Sequence, residues 1–335
     1  MATIYDVARQ AGVSVATVSA VVNNSAYVSP GLQERVESAI TALSYTPNQL
    51  ARSLTVKQTH TIGMIIPDIT NPIYPEMVRG AEDRAQNAGY TIILGNSDNQ
   101  KGKEEAYLNV FLSKKVDGIL LIKAPEEMSP PMLEKLRQGP PLVLLDREYP
   151  SLQAYTVITD AIGGAREAVN YLIKLGHQRV GIITGASTIH GRFLGYRKAL
   201  EENNIPFDES LAAEGHYGID LGYEAASRVL KQNPTAIFIT NTSMIVGFMR
   251  ALDKLRLRCP EDIAMVSYDD LGWSEEFHPT VTSVEQPKYL LGSRGVEILL
   301  GRIKGKHKRP KVEVAKNVLH YRESSGSPLI HSSSK

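Results

Sequence analysis

The sequence predicts a small all-α headpiece followed by an α/β core of two doubly wound parallel-sheet lobes. Three observations carry this. Residues 1–46 show short helical patterns and almost no strand signal. From Thr61 onward, short Ile/Leu/Val-rich runs alternate with amphipathic stretches, the texture of strands covered on both faces and joined by helices. The alternation occurs twice over similar lengths, so it fills two sheets rather than one. At 335 residues, 42% hydrophobic and 22% charged, the chain is long enough to bury several cores.

The elements follow in order. Thr3, with Asp6 three residues later, makes a capping-box-like start, and Val7, Ala8 and Ala11 fall on one face. Gly12 ends that helix and Ser14 caps the next, in which Val15, Val18, Val21 and Val22 have helical spacing. Ser29-Pro30 opens a third helix striped by Leu32, Val36, Ala39, Ile40 and Leu43. The first two helices and their turn look like a helix-turn-helix, a motif whose second helix meets a DNA major groove; with Val15, Ala16 and Ala20 on its reading face, whether this one reads DNA is left open at this point. Residues 47–60 read as a polar linker around one short helix, "NQLARSL", too short to be stable alone. Strand runs begin with "TIGMIIP", "YTIILGN", "VDGILLI" and "PLVLLD", and resume with "YTVITD", "RVGIITG", "LAAEGHY", "TAIFIT" and "IAMVSYDD". A final helix, Tyr289 to Ile303, precedes a last strand pattern, "VEVAKNVLHY". The N-lobe is expected over about 61–160 plus 288–305, the C-lobe over about 161–287 plus 311–323, and a small, polar, disordered tail over 324–335. Open parallel sheets bind ligands beyond the carboxyl ends of their strands. That rule selects Asp68, Asn71, Asn96, Asp98, Asp146, Asp160, Asn241, Asp269 and Asp270.

Net charge is +1, from 37 basic and 36 acidic residues, so any nucleic-acid footprint is local. Cys259 is the single cysteine, which rules out an internal disulfide. The N-terminus lacks the apolar core of a signal peptide, and no apolar run is long enough to span a bilayer; a cytoplasmic protein with no membrane partner is expected. There is no H-E-x-x-H, G-x-S-x-G, C-x-x-C or Walker loop, and the eight histidines are scattered, so no metal, cofactor or catalytic residue is expected. The carboxylates Asp269, Asp270, Glu275 and Glu276 keep a glycosidase as a remote alternative; a sugar-binding protein without DNA function is the other. The basic run Arg302–Lys311 is a candidate nucleic-acid patch, but its place in a turn before the last strand favours a solvated loop.

"TIYDVARQAGVSVATVSAVVNN", "YVSPGLQERVESAITALSYTPNQLARSL", "TIGMIIPDITNPIYPEMVRGAEDRAQNAGY", "VDGILLI", "LIKLGHQRVGIITG" and "PEDIAMVSYDD", in that order, resemble the LacI/GalR family of bacterial transcription repressors, from residue 3 to about 323. The resemblance implies a DNA-binding headpiece, a hinge helix, and a core like a periplasmic sugar-binding protein. It also implies a homodimer, sometimes a tetramer, acting on double-stranded, pseudo-palindromic operator DNA. A small effector in the interlobe cleft, a sugar or sugar acid before a nucleobase, would control operator affinity. Dimer contacts are expected on "PIYPEMVRGAEDRAQ".

The resemblance also assigns residues. Val15, Ala16 and Ala20 take the base-facing positions, and Ser14, Thr17, Ser19, Asn23 and Tyr5 stand near the DNA backbone. Many relatives carry arginine where this chain has Ala20. Arginine bidentate to guanine is the commonest specific contact, whereas alanine and valine can only meet thymine methyls. In the hinge, Leu54 would wedge between base pairs of the minor groove, beside Asn48, Ala51, Arg52 and Lys57. Asp68, Asn71, Tyr74, Arg192, Asn241, Asp269 and Trp273 would line the effector cleft. Thr242 stands where many relatives have aspartate, so a particular relative's ligand does not transfer.

Overall fold

The computed structural model describes residues 2–23, 26–45, 58–185, 190–215, 218–270, 272, 274–276, 278–307 and 309–326. It separates into two compact units, residues 1–59 and 60–335.

The first unit is the helical headpiece: α1 (Ile4–Ala11), α2 (Val15–Asn23) and α3 (Pro30–Ala42). Thr3 caps α1 in a full capping box. Its hydroxyl accepts from the Asp6 N–H, and the Asp6 carboxylate accepts from the Thr3 N–H at 2.9 Å. These bonds hold the Asp6 carboxyl below the ordinary carboxylate range, the Thr3 side-chain contact leading. Gly12 closes α1 at φ 61°, the left-handed conformation that glycine adopts at least cost. From α3, Arg35 reaches back to donate to the Ala11 carbonyl at 2.6 Å, tying the third helix to the turn. Val7, Val18 and Val36 are fully buried with Ala8, Ala11 and Ala39, so each helix contributes to one small core.

The second unit holds two six-stranded sheets. The N-lobe sheet contains β1 (Thr61–Ile66), β2 (Thr91–Asn96), β3 (Gly118–Leu121), β4 (Leu142–Leu145), β5 (Tyr155–Thr159) and β11 (Val312–Ala315). Its order is β11-β5-β4-β3-β1-β2, all parallel. Around it lie α4 (Ile73–Gln86), α5 (Lys101–Ser113), α6 (Pro130–Gln138) and α11 (Lys288–Ile303). The C-lobe sheet contains β6 (Val180–Thr184), β7 (Ala212–Glu214), β8 (Ala236–Ile239), β9 (Ala264–Tyr268), β10 (Ser283–Glu285) and β12 (Val318–His320). Its order is β12-β10-β9-β8-β6-β7, parallel except for the antiparallel edge strand β12. Its helices are α7 (Ala161–Lys174), α8 (His190–Glu202), α9 (Ile219–Leu230) and α10 (Thr242–Leu255). Each sheet separates two apolar clusters, one per face, as expected for strands without polar alternation.

Two expectations need correction. The last strand pattern is not one C-lobe strand. Val312–Ala315 pairs in parallel with β5 in the N-lobe, and only Val318–His320 returns to the C-lobe. Nor does a polar tail start at residue 324. Ser324 and Ser325 are fully buried, and the Ser324 hydroxyl donates to the Met265 carbonyl at 2.8 Å. Residues 327–335 lie outside the described residues.

The packing of α4 on α11 depends on two glycines. A Cβ on Gly80 would lie 2.0 Å from the Tyr289 carbonyl oxygen, and one on Gly292 would lie 1.8 Å from that of Met77. The two backbones therefore touch, and the α11-facing side of α4 is unavailable to a partner chain.

Candidate functional site

In the headpiece, α2 begins with its own hydroxyls engaged. Ser14 accepts from the Thr17 N–H at 3.1 Å, and the two hydroxyls lie 2.9 Å apart. This is N-capping of α2, which satisfies one of its first-turn N–H groups. Val15 is half-buried against the headpiece core, Ala16 is exposed, and Ser19 and Ala20 are partly exposed. Tyr5 is 67% exposed, so it does not pack as a core aromatic. Tyr27, not singled out from the sequence, is 90% exposed on the same unit. Nothing is described for the Asn23 side chain, and Asn48, Ala51, Arg52, Leu54 and Lys57 lie outside the described residues.

In the second unit, the carboxyl ends of the two sheets face a cavity of about 490 Å³. Of the expected effector residues, Asn71, Tyr74, Arg192, Asn241 and Asp269 line it. Asp68 lines an adjoining cavity of about 280 Å³, which shares Asn71 and Asn241. Trp273 lies outside the described residues.

The centre of the cavity is a buried ion pair. Arg192, near the start of α8, donates to both carboxylate oxygens of Asp269, at 3.0 and 3.4 Å, and also to the Thr240 carbonyl. Its guanidinium stacks on Tyr268, 4.0 Å from the ring centroid. Asp269, just past β9 at φ 77°, also accepts from Gln286, which in turn accepts from the Thr159 hydroxyl at 2.7 Å. Burial of paired charge requires this degree of satisfaction. Asp269 is therefore held by Arg192 and Gln286.

Across the cavity stand Asp146 and Arg147, directly after β4. Burial pushes the Asp146 carboxyl above the ordinary carboxylate range, against the opposing fields of Arg147 and Arg192. Arg147 donates to the Lys123 carbonyl at 2.8 Å and approaches the Tyr74 hydroxyl at 3.4 Å. The strand-end rule finds Asp146 but misses Arg147, Thr159 and Gln286, because it looks for carboxylates and asparagines. Cavity-lining positions adjacent to flagged strand ends would have found Arg147 and Thr159.

The other strand-end residues have structural roles. Asp160 caps α7 through the Gly163 N–H at 2.7 Å. Asp270 is held by Arg322 at 2.6 Å and by Ser283. Asp98 pairs with Lys103, and Asn96 accepts from the Ile69 N–H. Asn241 caps α10 through the Ser243 N–H while also facing the cavity. A larger concavity, about 1010 Å³, lies at the opposite end of the C-lobe strands and gathers none of the expected residues. Burial pushes its Cys259 thiol up to about 12.

Among the described residues, no group of three or more His, Cys, Asp or Glu is placed to hold a metal ion, and no helix is long and apolar enough to cross a membrane.

Comparison with known proteins places both units. Residues 3–48 match the bacterial regulatory proteins of the lacI family, and residues 169–325 match a periplasmic binding protein-like domain. The chain is 37% identical to the HTH-type transcriptional repressor PurR of Vibrio atlanticus, covering 93% of this chain and 95% of that one. It is equally identical to PurR of Photorhabdus laumondii, over 98% and 99%. The lac repressor dimer bound to operator and the anti-inducer ONPF superimposes with a TM-score of 0.86 at 28% identity, covering 97% of this chain and 99% of that one. The transcriptional regulator CelR–cellobiose complex superimposes at 0.74 with 32% identity, over 97% and 100%.

Proposed function

We propose that this chain, which belongs to the LacI family of bacterial transcriptional repressors, binds a pseudo-palindromic operator as a homodimer and takes a small polyhydroxylated effector, a sugar or sugar acid, between its lobes. It is a DNA-binding repressor with a small-molecule effector domain, not an enzyme. The observation that carries the effector reading is the composition of the cavity. Asn71, Asn241, Arg192, Asp269, Asp146 and Arg147 set donors and acceptors on both lobes, which suits a ligand with hydroxyls on several sides. Tyr74 and Ile73 supply one apolar wall, which favours a planar nucleobase as the second reading.

On DNA, α2 positions the headpiece more than it reads bases. Specificity then rests on thymine methyls, the hinge segment around Leu54, half-site spacing and DNA deformability. Effector binding shifts the lobe arrangement and, through it, operator affinity, a coupling typically worth about 1–3 kcal/mol.

Thermal-shift screening of sugars, sugar acids and nucleobases tests the effector reading, because a ligand of the folded state raises the melting temperature. A sugar-class hit that Arg192→Ala abolishes supports it; a hit confined to nucleobases replaces it with the second reading. For the hinge, Leu54→Ala should weaken operator binding far more than nonspecific binding. Equal losses on both DNAs would remove the wedge.

A further inference from the structure

The basic run Arg302–Lys311 is solvated, but its described backbone is tied down. The Lys306 N–H donates to the Gly301 carbonyl at 2.8 Å, and the Gly305 N–H donates to that of Arg302 at 2.9 Å. Arg302 turns back and donates to the His307 carbonyl at 2.8 Å. The His307 ring meets Tyr155 edge-on, with centroids 5.9 Å apart. At the far end, the Lys311 carbonyl accepts from the Thr156 N–H at 2.9 Å. The backbone is thus tied at both ends and near His307, and the other described basic side chains of the loop are left in solvent. Those are Lys304, Lys306, Arg309 and Lys311, all exposed. No Asp or Glu occurs between Gly301 and Val312, and the next carboxylate, Glu313, is taken by Arg294 at 2.7 Å.

The topology says which end of the lobe this is. The loop feeds β11, whose first residue pairs with Thr156 near the start of β5, so it lies at the N-terminal ends of the parallel strands. The chain also joins the sheet at that end: His60 donates its N–H to the Asp117 carboxylate at 2.9 Å, and β1 starts at Thr61. Residues 1–59 are therefore connected through this end. Four strand spacings separate β1 from β11, about 19 Å. Lys114 and Lys115, in the turn before β3, add exposed positive charge on the same end.

We infer that Lys304, Lys306, Arg309 and Lys311 form a second DNA contact, lying against backbone phosphates flanking the operator. The inference rests on the operator-binding proposal above. Among its described residues the loop carries no large aliphatic side chain, and its one ring, His307, meets Tyr155, so it lacks the large anchors that protein interfaces use. Positive charge without apolar anchors is what phosphate contacts need, and such contacts add affinity without reading sequence.

The test uses full-length protein and duplexes that the wild-type chain selects from a randomised pool. Each duplex is made with long flanks or with flanks cut at the operator edge, and binding is measured by anisotropy at several salt concentrations. The comparison protein carries Lys304→Gln, Lys306→Gln, Arg309→Gln and Lys311→Gln, all surface changes. Wild type should gain affinity from long flanks, and the variant should lose that gain, on the order of tenfold. Its slope of log K against log salt should be shallower by about 0.9 for each phosphate it no longer neutralises. Both proteins should bind short-flank duplexes alike. An unchanged flank gain and slope in the variant would overturn the inference. So would an equal loss on both flank lengths, or a loss seen only on phosphatidylserine vesicles. Wild-type binding to the short-flank duplex tests the operator proposal separately, so the two fail independently.

Discussion

Where α2 presents methyl groups, the interlobe cavity presents buried charge. Ala16 and Ala20 have nothing to offer a base edge but a carbon atom, and the neighbouring Ser14 and Thr17 hydroxyls cap their own helix. In the cavity, Arg192 and Asp269 are almost fully buried, and each carries further hydrogen bonds from its surroundings. The difference teaches that a site can be built in two ways. The headpiece fixes a backbone surface and relies on where it is held. The cavity fixes side chains whose charge must be matched before any ligand arrives. The first should be sensitive to scaffold damage and tolerant at its exposed face; the second should be sensitive at the site itself.

The largest effect should follow from breaking the buried pair. Arg192→Ala leaves the Asp269 carboxylate buried with its main cationic partner gone, which should cost about 3–5 kcal/mol in chemical denaturation of the second unit. A loss under about 1 kcal/mol would mean the pair is far better solvated than its burial implies. In the headpiece, Val18→Ala removes a fully buried side chain from a core with few members, costing roughly 2 kcal/mol. DNA binding should fail on mild heating while the melting of the second unit stays unchanged. A similar cost, about 1–3 kcal/mol, is expected for Gly292→Ala, because the new methyl meets the Met77 carbonyl where α4 and α11 touch. Thermal denaturation reads it, and DNA binding at low temperature should be intact.

The smallest effect has the opposite sign. Glu104 is fully buried, one of its oxygens has no hydrogen-bond partner, and burial pushes its carboxyl above the ordinary range. A carboxyl raised in this way binds its proton more tightly folded than unfolded. Folding therefore loses stability as pH rises from the unfolded value near 4.5. Glu104→Gln should raise the melting temperature at neutral pH, and the gain should fade as pH falls toward about 4.5, below which the carboxyl is protonated in both states. A variant less stable than wild type at neutral pH would show that the field of nearby Lys123 outweighs the burial.

Most of the fold is legible in the sequence because apolar runs bounded by glycine and proline leave little choice between strand and helix. The failure at Val312–His320 has a physical cause. One run of alternating apolar residues supplies edge strands to two different sheets, and periodicity reveals a strand without revealing its partner. The cavity is legible where chemistry sits just past a strand, as for Asp146, Asn241 and Asp269. It is not legible at Gln286, which acts by holding Asp269 and Thr159 together across the lobes' connecting segments. The basic loop escapes for a related reason: its charges are plain in the sequence, but two of the contacts that tie it, His307 on Tyr155 and Lys311 to Thr156, are long-range.

The claim that α2 positions rather than specifies is open to one direct measurement, operator selection from a randomised duplex pool by wild type and Ala20→Arg in parallel. The account predicts half-site symmetry but no obligatory guanine opposite residue 20 for wild type. The variant should acquire one, with discrimination of about 1–3 kcal/mol from a bidentate contact. An invariant guanine at that position in the wild-type pool would contradict it.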